Sequence, residues 1–287
     1  RGIGGMLGNL IPMTLFPIVI STFEKTPQLG YGMGVTVCAV IGFIGCFFSY
    51  KFTEERCTTE NKKQVEDAKI TDIFEVFAKN RAFMALAIHG VCQGLTMAIS
   101  QTMGTYMFSD VLGNLALMSV STILTMPLSI LVLVFSPQLV KKMGSVNLIC
   151  RSTLIGAGIY VILFVLHIMT DVNALTHIIL SALAGSFTSI GVMMQWGLVG
   201  ETIDYNEYLL GKRTEGTIYG TFNMLRRLGQ AIGAASGVAL LGWIGYDVAL
   251  SNAGLPQSTT TILGIKVLCV LMPAIVSLGT WGAFRFI

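Results

Sequence analysis

The chain has 287 residues, 53% of them hydrophobic and 11% charged, with 18 Lys and Arg against 15 Asp and Glu. A soluble domain carries roughly 25% charged residues to cover its surface, so a soluble globule is excluded, as are a disordered chain and a disulfide scaffold. A mean hydropathy of +0.74 leaves an all-α integral membrane protein, since no segment shows the apolar/polar alternation of a membrane barrel strand.

Fourteen of the charges, seven of each sign, fall between Lys51 and Arg81. The others are scattered and leave long charge-free runs. A helix needs about 20 apolar residues to cross a bilayer, and on that measure the runs predict eight spans, near 2–22, 31–52, 82–108, 115–140, 148–169, 174–199, 217–245 and 262–287. Basic residues gather in the loops after the second, fourth and sixth spans (53–81, then Lys141-Lys142, then Lys212-Arg213). The alternate loops carry Glu24-Lys25, Asp110, Asp171 and Asp247. The positive-inside rule therefore places the former set in the cytoplasm. Arg1 follows no methionine or basic leader, so no signal peptide is expected, and the chain reads as a piece of something longer.

The segment 53–81 divides the chain into 1–52, two helices, and 82–287, six helices. Within it Ile70, Ile73, Phe74 and Phe77 recur at helical spacing, as expected of an amphipathic connector helix at the membrane surface. In the third span His89, Gln93, Thr96 and Ser100 share one face, and in the fourth Thr122, Thr125, Ser129 and Ser136 do. Ser and Thr often bond their own helix backbone, so His89 and Gln93 are the stronger substrate-facing candidates. Pro127 and Pro137 should kink the fourth span.

The seventh span brings Tyr219, Asn223, Arg226, Arg227 and Gln230 within an arc of about 100°. Its arginines lie about 15 Å into the helix, near the midplane, where a charge normally faces a bundle interior or a watery cavity. Gly229, Gly233 and Gly237 follow at four-residue spacing, which lets a neighbouring helix approach closely. At the end of the sixth span, Glu201 and Asp204 share a helix face poised to meet basic residues.

Other chemistries lack their residue patterns. The six cysteines form no C-x-x-C pair, and the three histidines have no metal-ligand spacing. Phosphate-binding glycine loops and basic nucleic-acid stripes are missing as well. No metal, no cofactor and no nucleic-acid partner is expected. An enzyme would need a nucleophile–base pair or a metal cluster, and neither is apparent.

The run Glu201-Thr202-Ile203-Asp204-Tyr205-Asn206-Glu207-Tyr208, continued by Gly211-Lys212-Arg213-Thr214-Glu215-Gly216, carries a resemblance. With Leu228-Gly229-Gln230-Ala231, Gly245-Tyr246 and Gln257-Ser258-Thr259, it resembles the glycoside–pentoside–hexuronide:cation symporters of the major facilitator superfamily, the melibiose-permease-like proteins. The resemblance covers nearly the whole chain, as the family's fifth to twelfth helices. It implies a partial fold of that superfamily: two helices of the N-terminal bundle, then the six-helix C-terminal bundle. It also implies a sugar site between bundles and alternating access.

Residue by residue, the resemblance places Arg1 near the sugar and Arg227 where the family usually has a lysine. Val192 falls at the position of a sugar-stacking aromatic, and Trp196 one turn later. Glu201, Asp204 and Arg213 fall on cytoplasmic ion-pair positions, with Lys141 a further gate candidate. The candidate substrate site is thus Arg1, Arg227, Arg226, Asn223, Gln230, Trp196, Gln93 and His89. The coupling cation, Na⁺ or H⁺, would sit mainly on helices absent from this chain. The function implied is cation-coupled symport of a sugar, glycoside or hexuronide by a multi-pass inner-membrane monomer surrounded by lipid. The alternatives are a lysolipid-type carrier of the same superfamily and a membrane sensor built on a transporter fold.

Overall fold

The computed structural model describes residues 27–54, 70–114, 117–211 and 214–286. The expected span 2–22, with Arg1, lies outside them, as does Arg213. The described residues are helical, with no strand among them. The chain divides into two units, Arg1–Glu66 and Asp67–Ile287, so the boundary falls inside the charged connector.

In the first unit, α1 (Pro27–Phe52) is apolar around its whole circumference, with Val35, Val40, Phe43 and Phe47 all facing outward. Phe48 and Phe52 stack one turn apart, ring centres 5.8 Å from each other.

The second unit opens with α2 (Ile70–Lys79) and α3 (Arg81–Tyr106), the latter ending in a wide π-type turn, Met107–Val111. Then come α4 (Leu117–Met143), α5 (Ser145–Met169), α6 (Ala174–Leu210) and α7 (Glu215–Trp243). The short α8 (Val248–Asn252) leads to α9 (Thr259–Lys266), a second wide turn (Val267–Leu271) and α10 (Met272–Phe286). Pro273 has no N–H for the carbonyl four residues back, and the wide turn before it absorbs the missing bond without ending the helix.

α2 is amphipathic and belongs to the second unit. Val76 is buried and Phe77 meets Phe83 edge-on at 5.0 Å, whereas Phe74 is 71% exposed. The six long elements pack in the order α4, α6, α5, α10, α3, α7, with α3 also against α6 and α2 against α3 and α7. One end of the bundle carries Arg81, Lys141, Lys142 and Arg285; the other carries Asp110, Asp171 and Asp247. These are called the basic end and the acidic end.

The expected count of eight spans includes 2–22, outside the described residues, so it is not tested as a whole. Five described helices are long and apolar enough to cross a membrane: Gly32–Phe52, Arg81–Val111, Ser145–Met169, Ala174–Leu210 and Thr259–Arg285. A sixth forms if Leu117–Val132 and Val134–Met143, bent by 42°, are one span. The bend falls at position 133, four residues before Pro137, where the proline ring displaces the carbonyl it cannot bond. α7 does not qualify by composition because Asn223, Arg226, Arg227 and Gln230 lower its hydropathy. Its 29 residues nevertheless reach about 43 Å.

The tightest packing joins α3 and α7. A methyl group on Gly233 would stand 2.6 Å from the Leu95 carbonyl oxygen and 2.9 Å from the Ala98 Cβ. One on Gly229 would fall on the Val91 carbonyl, and one on Gly94 on the Arg226 carbonyl. Backbone therefore rests on backbone along this seam, as the glycine spacing predicts. Below it lies an apolar layer of Phe83, Leu86, Ile149, Leu198, Ile218 and Phe222.

Polar clusters close both ends. At the basic end, buried Asn80 caps α3 by accepting from the Phe83 N–H at 2.9 Å. Its Nδ2 donates to the Thr202 carbonyl and to Asn206 Oδ1, both at 3.3 Å, and Asn206 Nδ2 donates to Thr214 Oγ1 at 3.1 Å. Two helices, α3 and α6, and the α6–α7 connection are tied by two asparagines. At the acidic end, Gln257 Nε2 donates to the Asp247 carbonyl at 2.7 Å while its Oε1 accepts from the Asp247 N–H at 3.1 Å. The Tyr246 hydroxyl donates to Asp110 at 3.3 Å. Burial first, and the Asp110 charge after it, hold that phenol above its ordinary pKa, so it stays a donor through the physiological range.

Gly233→Ala should lower the unfolding temperature of the purified protein by several degrees, since overpacking costs about 1–3 kcal/mol. Gly104→Ala, on α3 with nothing within 4 Å of the new methyl, should leave it unchanged or raise it. Asn80→Ala should cost about 1–2 kcal/mol for the lost cap and more for the orphaned Asn206 amide. Thermal unfolding of Asn80→Ala and of the exposed Asn147→Ala, compared in one detergent, measures the difference.

Candidate substrate-facing site

The polar arc of α7 forms one side of a site whose other side is α6. Trp196, 42% exposed, stands between them. Its ring lies 5.8 Å from Tyr219 and meets Phe222 edge-on at 5.8 Å. The Arg226 guanidinium carbon sits 5.7 Å from the centre of the Trp196 ring, a cation–π arrangement that fixes a long, flexible side chain. The Arg226 Nε is buried and makes no hydrogen bond.

Arg227, next in sequence, turns about 100° away and donates to Gln230 Oε1 at 3.1 Å. Gln230 in turn points Nε2 at Met97 Sδ on α3, 3.7 Å away. Asn223 donates to the Tyr219 carbonyl at 3.1 Å. Among the described residues neither arginine lies within ion-pair distance of a carboxylate. Two guanidiniums, one over an indole face and one held by an amide, thus line a half-exposed surface rich in donors and aromatic rings. That chemistry suits a ring with hydroxyls and an anionic group.

His89 and Gln93 take another place. They lie on the side of α3 turned toward α5, α6 and α10, where they line a small interior cavity with Thr96, Tyr160 and Thr280. His89 is 1% exposed. The structure therefore brings five of the eight substrate-site candidates together and places two elsewhere: Trp196, Asn223, Arg226, Arg227 and Gln230 line the α6–α7 surface, His89 and Gln93 face inward, and Arg1 lies outside the described residues. Tyr219 completes the aromatic wall, and fully buried Phe222 backs Trp196 from the apolar layer. Tyr219 was legible on the α7 arc, whereas Phe222 carries no polar signal. On α4, the hydroxyls of Thr122, Thr125 and Ser129 each donate to the carbonyl four residues back, so that stripe serves its own helix.

Of the gate candidates, Glu201 and Asp204 lie exposed on the last turns of α6 beyond the apolar stretch, and Lys141 lies in the last turn of α4. Glu201 accepts from the Ser145 hydroxyl on α5 at 3.3 Å. Among the described residues no group of three or more His, Cys, Asp and Glu is placed to hold a metal.

Comparison with known proteins agrees with this architecture. A family model described as MFS/sugar transport protein matches residues 1–287. The uncharacterized symporter YjmB of Bacillus subtilis is 30% identical over 272 residues, 94% of this chain and 57% of that protein. The glucuronide carrier protein homolog of Escherichia coli is 25% identical over 251 residues, 85% of this chain and 51% of that protein. The inner membrane symporter YicJ of Escherichia coli is 24% identical over 291 residues, 95% of this chain and 56% of that protein. The chain spans a little over half the length of these relatives. With a family model matching it from end to end and its helices apolar enough to cross a membrane, the chain belongs to the MFS/sugar transport protein family, as a multi-pass inner-membrane protein.

Proposed function

We propose that the full-length protein is a secondary active transporter that moves a sugar, glycoside or hexuronide together with Na⁺ or H⁺ by alternating access, with the basic end of the bundle in the cytoplasm. The observation that carries this reading is Arg226 held over Trp196 beside Tyr219. An aromatic face stacks on the apolar face of a sugar ring, and a guanidinium beside it grips a carboxylate in two parallel bonds. The α6–α7 surface meets both needs of a uronic acid, and the likeness to a glucuronide carrier homologue supports the same class. The cation is proposed to bind mainly on helices outside this chain, and the working unit is a monomer. The gate is proposed as Glu201 or Asp204 pairing with Lys141 or Arg213 at the cytoplasmic mouth when the cavity opens outward.

One observation favours the lysolipid-carrier alternative. A recess of about 240 Å³ between α4 and α6 is lined almost wholly by apolar side chains, among them Leu128, Leu131, Phe135 and Phe187, and an acyl chain would fill it.

In the full-length protein, Arg226→Ala should weaken binding of a methyl glucuronide about ten- to a hundredfold, the worth of a charge-assisted bond, measured by calorimetry. Arg227→Lys should retain neutral sugars better than uronic acids. Unchanged glucuronide affinity in Arg226→Ala would move recognition to Arg227, and stabilisation by lysophospholipid rather than by any sugar would establish the lipid carrier instead. Asp204→Asn should shift the population toward the inward-open state. A double spin-label distance measurement giving the wild-type distribution would rule out the gate.

A further inference from the structure

The same four helices, α3, α5, α6 and α10, enclose two cavities one above the other. The lower, at the basic end, is a cleft of about 420 Å³ lined by Arg81, Leu86, Val146, Glu201, Tyr205 and Phe284, among others. The upper is a chamber of about 30 Å³ lined by His89, Gln93, Thr96, Thr153, Tyr160 and Thr280, with further hydroxyls from Thr188 and Ser277. On every one of the four helices the chamber's residues lie deeper than the cleft's. The order is Arg81 then His89 on α3, Val146 then Thr153 on α5, Glu201 then Thr188 on α6, and Phe284 then Thr280 on α10. The cleft and the chamber are therefore successive stations on one axis. Between them stands a thin apolar layer of Leu86, Ile149 and Phe284. The Phe284 ring is 5.6 Å from His89.

The walls of the chamber require a guest. The ring nitrogens of His89 are buried with no well-formed hydrogen bond, the Gly191 backbone offering only a loose contact. Leaving such atoms dry is unfavourable, since a buried polar group without a partner loses its bonds to water and gains none. The hydroxyls of Thr96, Thr153 and Thr188 give their protons to carbonyls of their own helices, so they turn lone pairs, not protons, to the cavity. With Gln93, Tyr160, Ser277 and Thr280 completing the wall, donors and acceptors both line the cavity, which suits a small neutral molecule able to donate and to accept. A water needs about 10–15 Å³ and two to four polar partners, so the chamber has room for two.

We propose that this chamber is a water site, filled from the basic end of the bundle through the cleft and past Phe284, on a route separate from the α6–α7 substrate face. The route is independent of which solute the protein carries. The charged and titratable groups facing it are Arg81 on α3, Tyr160 on α5, and Glu201 and Tyr205 on α6, while α10 contributes Phe284 and hydroxyls. Phe284 acts as the plug: its ring is the part of the layer that α10 supplies, and it stands beside His89.

X-ray radiolytic labelling in ¹⁸O-water, read by mass spectrometry on the full-length protein in detergent, tests the site. His89 and Tyr160 should take up label although His89 is as buried as Phe222, which belongs to the apolar layer and serves as the dry reference. Phe284→Ala should raise labelling of His89 at least threefold, and Phe284→Trp should lower it, with Phe222 unchanged in both. Labelling of His89 and Tyr160 no greater than that of Phe222 would show a dry chamber and overturn the proposal. Labelling indifferent to Phe284→Ala and Phe284→Trp would overturn the route. Labelling that falls when choline is replaced by Na⁺ would show a cation, not water, as the guest. Unchanged glucuronide binding in both Phe284 variants is expected, which separates this outcome from that of the substrate assignment.

Discussion

The contact on which the rest of the second unit depends is the glycine seam between α3 and α7. It is unusual in joining main chain to main chain, with Gly94 against the Arg226 carbonyl and Gly229 against the Val91 carbonyl. In a bilayer, helices gain nothing from hiding apolar surface from one another, because lipid is as apolar as leucine, so close van der Waals contact supplies the association instead. The seam also sets the position of Arg226 from behind. Its backbone is pinned by α3, and only its side chain is left to reach forward over Trp196. A site built on a pinned backbone has a defined geometry before any ligand arrives.

The arginines show the other side of this economy. A guanidinium near the bilayer midplane is costly unless it faces a cavity or finds a partner. Arg226 offsets part of that cost on the Trp196 face and Arg227 on the Gln230 amide. Neither has an acid among the described residues, so both retain unsatisfied capacity for charge-assisted bonds. The same polarity is why α7 does not pass as a membrane span by composition, although by length and packing it is an integral part of the bundle.

Much of this was legible in the sequence, for physical reasons that differ by element. The apolar spans follow from charge-free runs because lipid excludes charge, and the close approach of α7 follows from glycine at every fourth residue. The bend in α4 follows from Pro137, one turn past the break. The α7 arc was legible because helical angles are fixed. What an isolated helix cannot reveal is which neighbour a face meets. His89 and Gln93 share a polar face, as their spacing shows, but that face turns into the bundle because the opposite side of α3 is occupied by the seam. Phe74 fits the apolar stripe of α2 by spacing, yet the turn is taken up by Val76 and Phe77. The ties made by Asn80 and Asn206 join residues more than 120 positions apart, and no local pattern announces such a pair.

The two faces of α3 also explain how one bundle can hold two polar regions without joining them. Gly90 and Gly94 face α7, and His89, Gln93 and Thr96 face the interior, so consecutive residues serve opposite sides. Small residues on one side bring α7 close enough to exclude water there. Hydroxyls and an imidazole on the other hold a chamber open against α5 and α10. A bundle stitched by backbone contact along α3 and α7, by two asparagines at one end, and by Gln257 and Tyr246 at the other has few internal places to yield. Such a bundle is built to move as one body, with side chains at its mouths left to adjust, as the alternating access proposed above would require.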